Sequence, residues 1–301
     1  MERIAICVCT RKRQEGIVKL LQSLEEVEVP EGVSMDVVVV ENDKINSSES
    51  VINEFKKRNK LAVSYYLEPE PGLVNARNRS VREAGDCDYC CFVDDDQVVD
   101  KKWLTELVSC RREFDADGVW GSNPPLFSRD VPPWIRKFHT PKAFGYGEKT
   151  RTAFTNSLMI KKSWLDRIDG PFDLRLNFTG AEDRFMTYNI TSRGGTIVCN
   201  QKAKAYELVP ESRTGTDYVR RRSFRISNTN VYVKTLENEN YSKWKSFPRL
   251  VLRFFNGLLL LAPFYFFAGE DKLKGLIKIS NAMGGFAFIF FGSKDEFYRR
   301  D

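Results

Sequence analysis

Three consecutive carboxylates, Asp94-Asp95-Asp96, directly follow the apolar run Tyr89–Val93. Adjacent like charges repel, so a folded chain that keeps them together needs a counter-charge. Mg²⁺ and Mn²⁺ supply one, because they bind one or two carboxylates and complete their shell with phosphate and water. Side chains alternate along a strand, which places Asp94 and Asp96 on one side and turns Asp95 back into the protein. The pattern predicts a direct metal bond for Asp96 with Asp94 beside it; a solvated acidic turn is the alternative.

A second acidic pair, Glu182-Asp183, follows Gly180-Ala181 at the predicted start of a helix. A positioned carboxylate can take the proton of an attacking hydroxyl, which is general base catalysis. We predict this role for Asp183, with Glu182 shaping the acceptor site. Carboxylates in a first helical turn are also favoured by the helix dipole, so a purely structural role is the alternative.

The third candidate set is basic and lies in the segment ELVPESRTGTDYVRRRSFR, residues 207–225. Arginine can donate two hydrogen bonds to diphosphate oxygens and stabilises the charge that a leaving diphosphate gains. Arg213 is the best candidate, because it lies in a predicted loop before a helix. The alternative for this segment is a helix face on acidic lipid or in solvent.

Strand and helix signals alternate through the first hundred residues, which is the pattern of βαβ units in a parallel sheet. The predicted strands are Ile4–Cys9, Asp36–Val40, Ala62–Leu67 and Tyr89–Val93, and the predicted helices are Ile17–Leu24, Val51–Arg58 and Val74–Ala84. Ligands of such sheets bind at the carboxyl ends of the strands. Polar residues follow three of these ends: Thr10-Arg11, Glu41–Asp43 and Asp94–Asp96. The sequence therefore predicts an α/β fold with a nucleotide site at this edge.

Residues 118–146 are rich in proline and aromatic residues, which predicts irregular loops around short elements. Beyond them we expect a strand at Thr155–Ile160, a helical start at Ser163–Arg167 and a helix at Gly180–Ser192.

Two apolar runs, Val251–Gly269 and Gly275–Gly292, each approach the about 20 residues that cross a bilayer. Polar residues such as Arg253 and Asn281 interrupt them. The runs form a hairpin that enters or spans a membrane, a pair of amphipathic helices in the interface, or two helices packed on the catalytic domain. Their apolar density favours association with a membrane.

The composition is that of a folded globular chain, with 42% apolar and 29% charged residues, which excludes a disordered protein. The net charge is +6, and residues 202–301 carry 18 Lys and Arg against 10 Asp and Glu. A basic C-terminal part predicts an anionic surface or substrate nearby. Seven cysteines without metal-like spacing favour a reducing, cytoplasmic location, and the first residues predict no signal peptide.

Six segments occur in an order that resembles the family 2 glycosyltransferases with a GT-A fold, over about residues 3–225. They are CVCTRKR, VVVEND, GLVNARNRSVREA, FVDDD, FTGAEDRFM and the arginine-rich segment above. FVDDD resembles the family's Asp-x-Asp site, and FTGAEDRFM resembles its Glu-Asp site. The last segment, followed by apolar helices, is similar to the subgroup that builds bacterial exopolysaccharide repeat units on lipid carriers.

The resemblance implies a role for each matching residue. It places Thr10, Arg11, Glu41 and Asp43 around the uracil, Arg77 near the diphosphate, Asp94 and Asp96 at the ribose and the metal, and Asp183 as the base. Many members have a metal-binding His where this chain has Glu207, so Glu207 is the implied substitute ligand. The Gln-x-x-Arg-Trp motif of processive members is absent, which implies transfer of a single sugar.

The resemblance thus implies an inverting enzyme that uses Mn²⁺ or Mg²⁺. It would move one sugar from a nucleotide sugar, a UDP-hexose, to a lipid-linked or polysaccharide acceptor at the cytoplasmic face of the cell membrane. We expect a catalytic domain at residues 1–225, a membrane-associating part at 226–301, and no nucleic-acid partner. The alternatives are a nucleotidyltransferase on a related fold and a catalytically inactive sugar-binding membrane protein.

Overall fold

The computed structural model describes residues 1–168, 170–261 and 269–296, without the side chains of 269–272. Its strands are β1 (Glu2–Thr10), β2 (Val33–Glu41), β3 (Val63–Leu67), β4 (Tyr89–Phe92), β5 (Gln97–Val99), β6 (Gly118–Ser122), β7 (Pro125–Phe127), β8 (Lys149–Thr150), β9 (Leu158–Lys161) and β10 (Ile197–Val209). Its helices are α1 (Gln14–Glu25), α2 (Glu49–Arg58), α3 (Leu73–Glu83), α4 (Trp103–Phe114), α5 (Pro133–His139), α6 (Lys162–Asp166), α7 (Glu182–Ser192), α8 (Thr216–Glu237), α9 (Phe247–Leu261) and α10 (Gly269–Phe291).

Within the described ranges the strands form one ten-stranded sheet in the order β3-β2-β1-β4-β9-β6-β10-β5, with β7 and β8 also beside β10. The first four strands are parallel, as predicted. The prediction of parallel strands covers only the first hundred residues; beyond them, β9 runs antiparallel to β4 and to β6. A parallel neighbour needs a crossover connection, usually helical. The chain instead enters β9 from the irregular segment before it, at the end of the sheet where β4 finishes.

Alternation along β1 explains why the sheet is covered on both faces. Ile4, Ile6 and Val8 belong to the core formed with α1, α2 and α4. Ala5 and Cys7 point the other way, into the core formed with α3, α6 and α7. A strand segment buried on both faces is apolar throughout, which is the composition of Ile4–Cys9 in β1 and Val37–Val40 in β2.

The predicted strand Thr155–Ile160 begins later than expected. Residues Thr155–Ser157 form a short 3₁₀ turn, and β9 starts at Leu158. The turn lets the Ser157 hydroxyl accept a hydrogen bond of 2.9 Å from the buried Trp103 indole.

The C-terminal helices pack on the catalytic body. Side chains of α7, α8, α9 and α10 share one apolar cluster. The expected boundary at residue 225 falls inside α8, and the division into two functional parts stays a prediction. Residues 262–268 of the first apolar run lie outside the described residues. Among the described helices, α10 alone contains a stretch, Leu273–Phe291, long and apolar enough to cross a membrane by length and composition.

Candidate active site

The carboxyl ends of β1, β2 and β4 meet at one edge of the sheet, as the sequence predicts. Thr10 pairs with Glu41 across β1 and β2, and β4 lies on the other side of β1. The Thr10 hydroxyl donates a 2.8 Å hydrogen bond to Asp95. The first and third predicted groups of polar residues are therefore in direct contact.

Asp95 points into the protein, as strand alternation predicts. Besides Thr10, it accepts a 2.8 Å hydrogen bond from Arg13 Nη1. Burial raises the pKa of Asp95, and the Arg13 charge opposes that shift. The close approach of α1 to this carboxylate requires Gly16, because a Cβ there would lie 2.5 Å from the Asp95 carbonyl oxygen.

Asp96 and Glu207, the two predicted metal ligands, are held together by one cation. Arg213 Nη1 lies 3.1 Å from Asp96 Oδ2 and 3.1 Å from Glu207 Oε1. Arg13 makes a second contact with Asp96, at 3.1 Å. This pocket therefore already stabilises positive charge between two carboxylates.

These donors fit a divalent ion only together with a phosphate-bearing ligand. In the ranges that the structure covers, no three His, Cys, Asp or Glu side chains are placed to hold a metal ion together. Mg²⁺ sites at substrate phosphates commonly use one or two carboxylates and complete the shell with phosphate oxygens and water. Asp96 and Glu207 supply donors of that type, and both are oxygen ligands suited to Mg²⁺ or Mn²⁺.

Asp94 faces the cleft, and 41% of its side chain is exposed. Its backbone N–H donates a 2.8 Å hydrogen bond to Gln97 Oε1, which fixes the turn after β4. Desolvation raises the pKa of Asp94 to about 7, with the charges of Asp96, Asp95 and Asp183 adding to the shift and Arg77 opposing it. A cation bound beside Asp94 would therefore lower its pKa and favour the ionised carboxylate.

Arg77 joins Asp94 to Glu182. The guanidinium is buried and forms an ion pair with the buried carboxylate of Glu182, while its Nη2 lies 3.4 Å from Asp94 Oδ1. The structure thus places Arg77 and Glu182 beneath the cleft. Their predicted contacts, with the diphosphate and the acceptor, stay predictions.

Asp183 lies half-buried in the first turn of α7. The chain turns into this helix through Gly180 and Ala181, both with positive φ (82° and 65°). The Asp183 carboxylate accepts a 2.6 Å hydrogen bond from the Arg184 backbone and a 3.4 Å one from the Thr155 backbone. These bonds fix its orientation. Arg77 pairs with Glu182, the neighbour of Asp183, and with Asp94, so the start of α7 lies beside the carboxylates that follow β4.

Glu41 is fully buried at the predicted base-binding end. It accepts hydrogen bonds from the Ser48 backbone (2.8 Å) and the Tyr65 hydroxyl (2.6 Å), and so anchors the loop after β2. Asp43 lies in the same loop with only 13% of its side chain exposed, 3.6 Å from Lys12 Nζ. Burial opposes ionisation of Asp43, but the Lys44 N–H and the Lys12 charge bring its pKa below the usual value. Arg11 directly follows β1.

Residues 5–169, more than half of the chain, match the sequence model of the family described as Glycosyl transferase family 2. The chain belongs to this family. A curated relative, the succinoglycan biosynthesis protein ExoM of Rhizobium meliloti (strain 1021), is 28% identical over 228 residues, 75% of this chain and 73% of ExoM.

Solved structures show the same fold at low sequence identity. The mannosyltransferase PcManGT from Pyrobaculum calidifontis, solved with GDP-Man and Mn²⁺, has a TM-score of 0.65 and 14% identity over 97% of this chain and 88% of its own. TarS 1–349 of S. aureus, solved with UDP-GlcNAc, has a TM-score of 0.51 and 16% identity over 95% and 91% of the two chains. The expected family and GT-A fold are confirmed, and the roles of individual residues stay predictions.

Sequence reasoning missed three residues that shape the site of this family 2 glycosyltransferase. Arg13 stands inside the CVCTRKR segment but was given no role. Asn42, inside VVVEND, accepts a 2.8 Å hydrogen bond from the backbone of Gly72. Asn177 accepts one of 3.0 Å from the Val74 backbone, so the two asparagines hold the start of α3. Arg13 and Asn42 lie inside segments that resemble the family, whereas Asn177 lies just before FTGAEDRFM and no sequence signal points to it.

Proposed function

We propose that this glycosyltransferase is metal-dependent and inverting, and moves one hexose from a UDP-sugar to a lipid-linked or polysaccharide acceptor. The observation that carries the proposal is the contact of Arg213 with both Asp96 and Glu207, next to Arg77, which links Asp94 to Glu182 at the start of α7. The similarity to ExoM, a succinoglycan biosynthesis protein, supports polysaccharide biosynthesis. The similarity to PcManGT with GDP-Man and Mn²⁺ and to TarS with UDP-GlcNAc supports a nucleotide-sugar donor and Mn²⁺.

The donor end of the cleft is built to hold a diphosphate. Asp96 and Glu207 would hold Mn²⁺ or Mg²⁺, and Asp94 would lie beside the ion. When bound, the ion neutralises the diphosphate and stabilises the charge of the leaving nucleoside diphosphate. Arg213 adds hydrogen-bond donors at the same place, where negative charge grows as the glycosidic bond breaks. Arg13 keeps Asp95 and Asp96 oriented.

The acceptor end requires a base. Asp183 takes the proton of the attacking hydroxyl as the new bond to the anomeric carbon forms. Its hydrogen bonds to the backbone of Arg184 and Thr155 hold the carboxylate in place, which lowers the entropic cost of reaching the reactive geometry. Attack from the side opposite the leaving diphosphate inverts the anomeric centre.

The proposed setting is the cytoplasmic face of the cell membrane, where a lipid-linked acceptor would be presented. The two apolar C-terminal helices and the basic charge of this part of the chain support that setting.

Asp183→Asn tests the proposal, with Asp217→Asn, an exposed carboxylate at the start of α8, as the matched control. We expect turnover with UDP-sugars and Mn²⁺ to fall about 10²–10⁴-fold in Asp183→Asn, the range of a lost general base. The control should keep wild-type turnover, and a chelator should abolish activity in both.

Near-wild-type turnover of Asp183→Asn would remove Asp183 from the mechanism. Measuring which product is released separates the alternatives: nucleoside diphosphate supports a glycosyltransferase, and pyrophosphate would indicate a nucleotidyltransferase. Absence of any metal-dependent release would favour an inactive sugar-binding protein. The anomeric configuration of the product, read by NMR, tests inversion.

A further inference from the structure

Helix α9 leaves a stripe of large apolar side chains uncovered. Leu252, Phe255 and Leu259 are 62%, 57% and 67% exposed, and Leu258 beside them is also exposed. Spacings of three and four residues place these side chains on one side of a helix. We call these four residues the outer face of α9. The opposite side, with Leu250 and Gly257, is buried against the rest of the chain.

The uncovered surface extends beyond α9. Trp244, just before the helix, and Phe290, near the end of α10, are both about half exposed. Their rings meet edge to face with centroids 5.5 Å apart. Single exposed apolar residues are ordinary, but a contiguous group of them marks an interaction surface.

Basic side chains accompany this surface. Lys245, Arg249 and Arg253 are exposed, and Arg249 and Arg253 are one helical turn apart along one edge of the outer face. Arg253 donates a hydrogen bond to Asn281, and none of the three forms an ion pair with a carboxylate in the part of the chain that the structure describes. An apolar stripe with a basic edge matches an anionic lipid surface, where acyl chains meet negative headgroups.

Helix α10 is not arranged as a membrane span, although its composition would permit one. Asn281 donates a 3.2 Å hydrogen bond to the Ser223 carbonyl of α8, and Asn228 of α8 donates one of 3.0 Å to the Gly284 carbonyl. The two backbones touch here, since a Cβ on Gly284 would lie 2.0 Å from the Phe224 carbonyl oxygen. Helix α10 is thus fixed to α8, and the Asn281 side chain makes its hydrogen bonds to α8 and α9.

We infer that the outer face of α9, together with Trp244 and Phe290, lies in the interfacial layer of an anionic phospholipid membrane and does not cross it. This inference rests on the proposed membrane setting and specifies both the surface and the mode of attachment. The basic edge contacts the headgroups, while the apolar stripe enters the boundary with the acyl chains.

The test is co-sedimentation of the full chain with vesicles of phosphatidylcholine alone or mixed with phosphatidylglycerol. Wild type should bind the mixed vesicles, and added salt should weaken binding. Leu252→Glu/Phe255→Glu should reduce binding at least tenfold. Leu174→Glu is the matched control, because Leu174 is 64% exposed on the catalytic body, and it should bind like wild type. Lys245→Gln/Arg249→Gln should lose the preference for anionic lipid.

Equal vesicle binding by wild type and Leu252→Glu/Phe255→Glu would overturn the inference. Wild-type protein that stays in the membrane pellet after an alkaline carbonate wash would also overturn it, because that result indicates a membrane-spanning segment. A wild-type dimer that dissociates in Leu252→Glu/Phe255→Glu would overturn it too, because a second copy of the chain would then cover the outer face of α9. Circular dichroism and thermal unfolding confirm that the variants fold. Metal-dependent release of UDP is measured on the same samples without vesicles. Absence of this release in wild type would refute the proposed function, whereas the vesicle-binding result would remain valid.

Discussion

Replacing Arg77 with methionine would leave Glu182 buried without its cation. One carboxylate oxygen of Glu182 already has no hydrogen-bond partner among the described residues, so nothing nearby compensates. Removing one partner of a buried ion pair costs about 3–5 kcal/mol. At about 2 °C per kcal/mol for a chain of this size, the melting temperature of Arg77→Met should fall by roughly 6–10 °C.

The double variant Arg77→Met/Glu182→Met separates charge from packing. Apolar residues of similar volume can replace a buried pair with little loss of stability. Asp94 also loses its 3.4 Å contact with Arg77, whose charge opposes the rise of the Asp94 pKa. We therefore expect the double variant to be more stable than Arg77→Met, with a coupling energy of about 2–3 kcal/mol between the two sites.

Denaturant unfolding followed by circular dichroism gives the four free energies of this cycle, and donor titration gives KM for each variant. Additive effects of the two substitutions would refute the buried-pair reasoning. A stable Arg77→Met with a strongly raised donor KM would instead support the diphosphate contact that the family resemblance implies.

Three further outcomes are expected. His139, the chain's single histidine, has a pKa lowered by burial, so the unfolded chain takes up its proton first and this group lowers stability as the pH drops below about 6.5. The raised pKa of Asp94 acts in the opposite direction in both proteins, so between pH 8 and 5.5 the melting temperature of wild type should fall relative to that of His139→Gln. Gly72→Ala should lower the free energy of unfolding by about 1–3 kcal/mol, because φ is +121° and a Cβ would lie 2.1 Å from Asn177. Gly215 has open space around it, so the control variant Gly215→Ala should leave the melting temperature unchanged. Glu207→Gln should weaken Mn²⁺ binding about tenfold in a thermal-shift titration with UDP, and unchanged binding would limit Glu207 to anchoring Arg213.

The parallel half of the sheet was predictable because apolar runs and amphipathic helical patterns alternate in this part of the sequence. Four apolar strands separated by amphipathic helices leave few arrangements other than βαβ units. The direction of β9 was not predictable in the same way. Its four residues, Leu158–Lys161, carry no orientation signal, and the irregular segment before them has no periodicity to indicate where the chain re-enters the sheet.

Features of the site that depend on neighbouring residues in the sequence were predictable. Contacts between residues far apart in the sequence were not. Strand alternation correctly turned Asp95 inward. Burial of Glu182 was not foreseen, because a carboxylate in a first helical turn is typical of an exposed surface. Its partner Arg77 lies 105 residues earlier, and only the folded sheet brings the two together. Likewise, the length of its apolar run predicted that α10 associates with a membrane. The contact of Gly284 with α8 was not predictable, because it depends on which side of each helix faces the other.

Helix α8 sets the rotational orientation of the outer face of α9 relative to Arg213. It begins at Thr216, three residues after Arg213, and carries the contacts of α10 at Ser223 and Asn228. Each residue of an α-helix turns the chain by about 100°, so one residue inserted between Thr216 and Ser223 would swing α10 and the outer face of α9 around the helix axis by that angle. Seven inserted residues would restore the phase but move both helices about 10 Å from the arginine. Natural variation in length is therefore expected in the loops of this enzyme and not in the first two turns of α8.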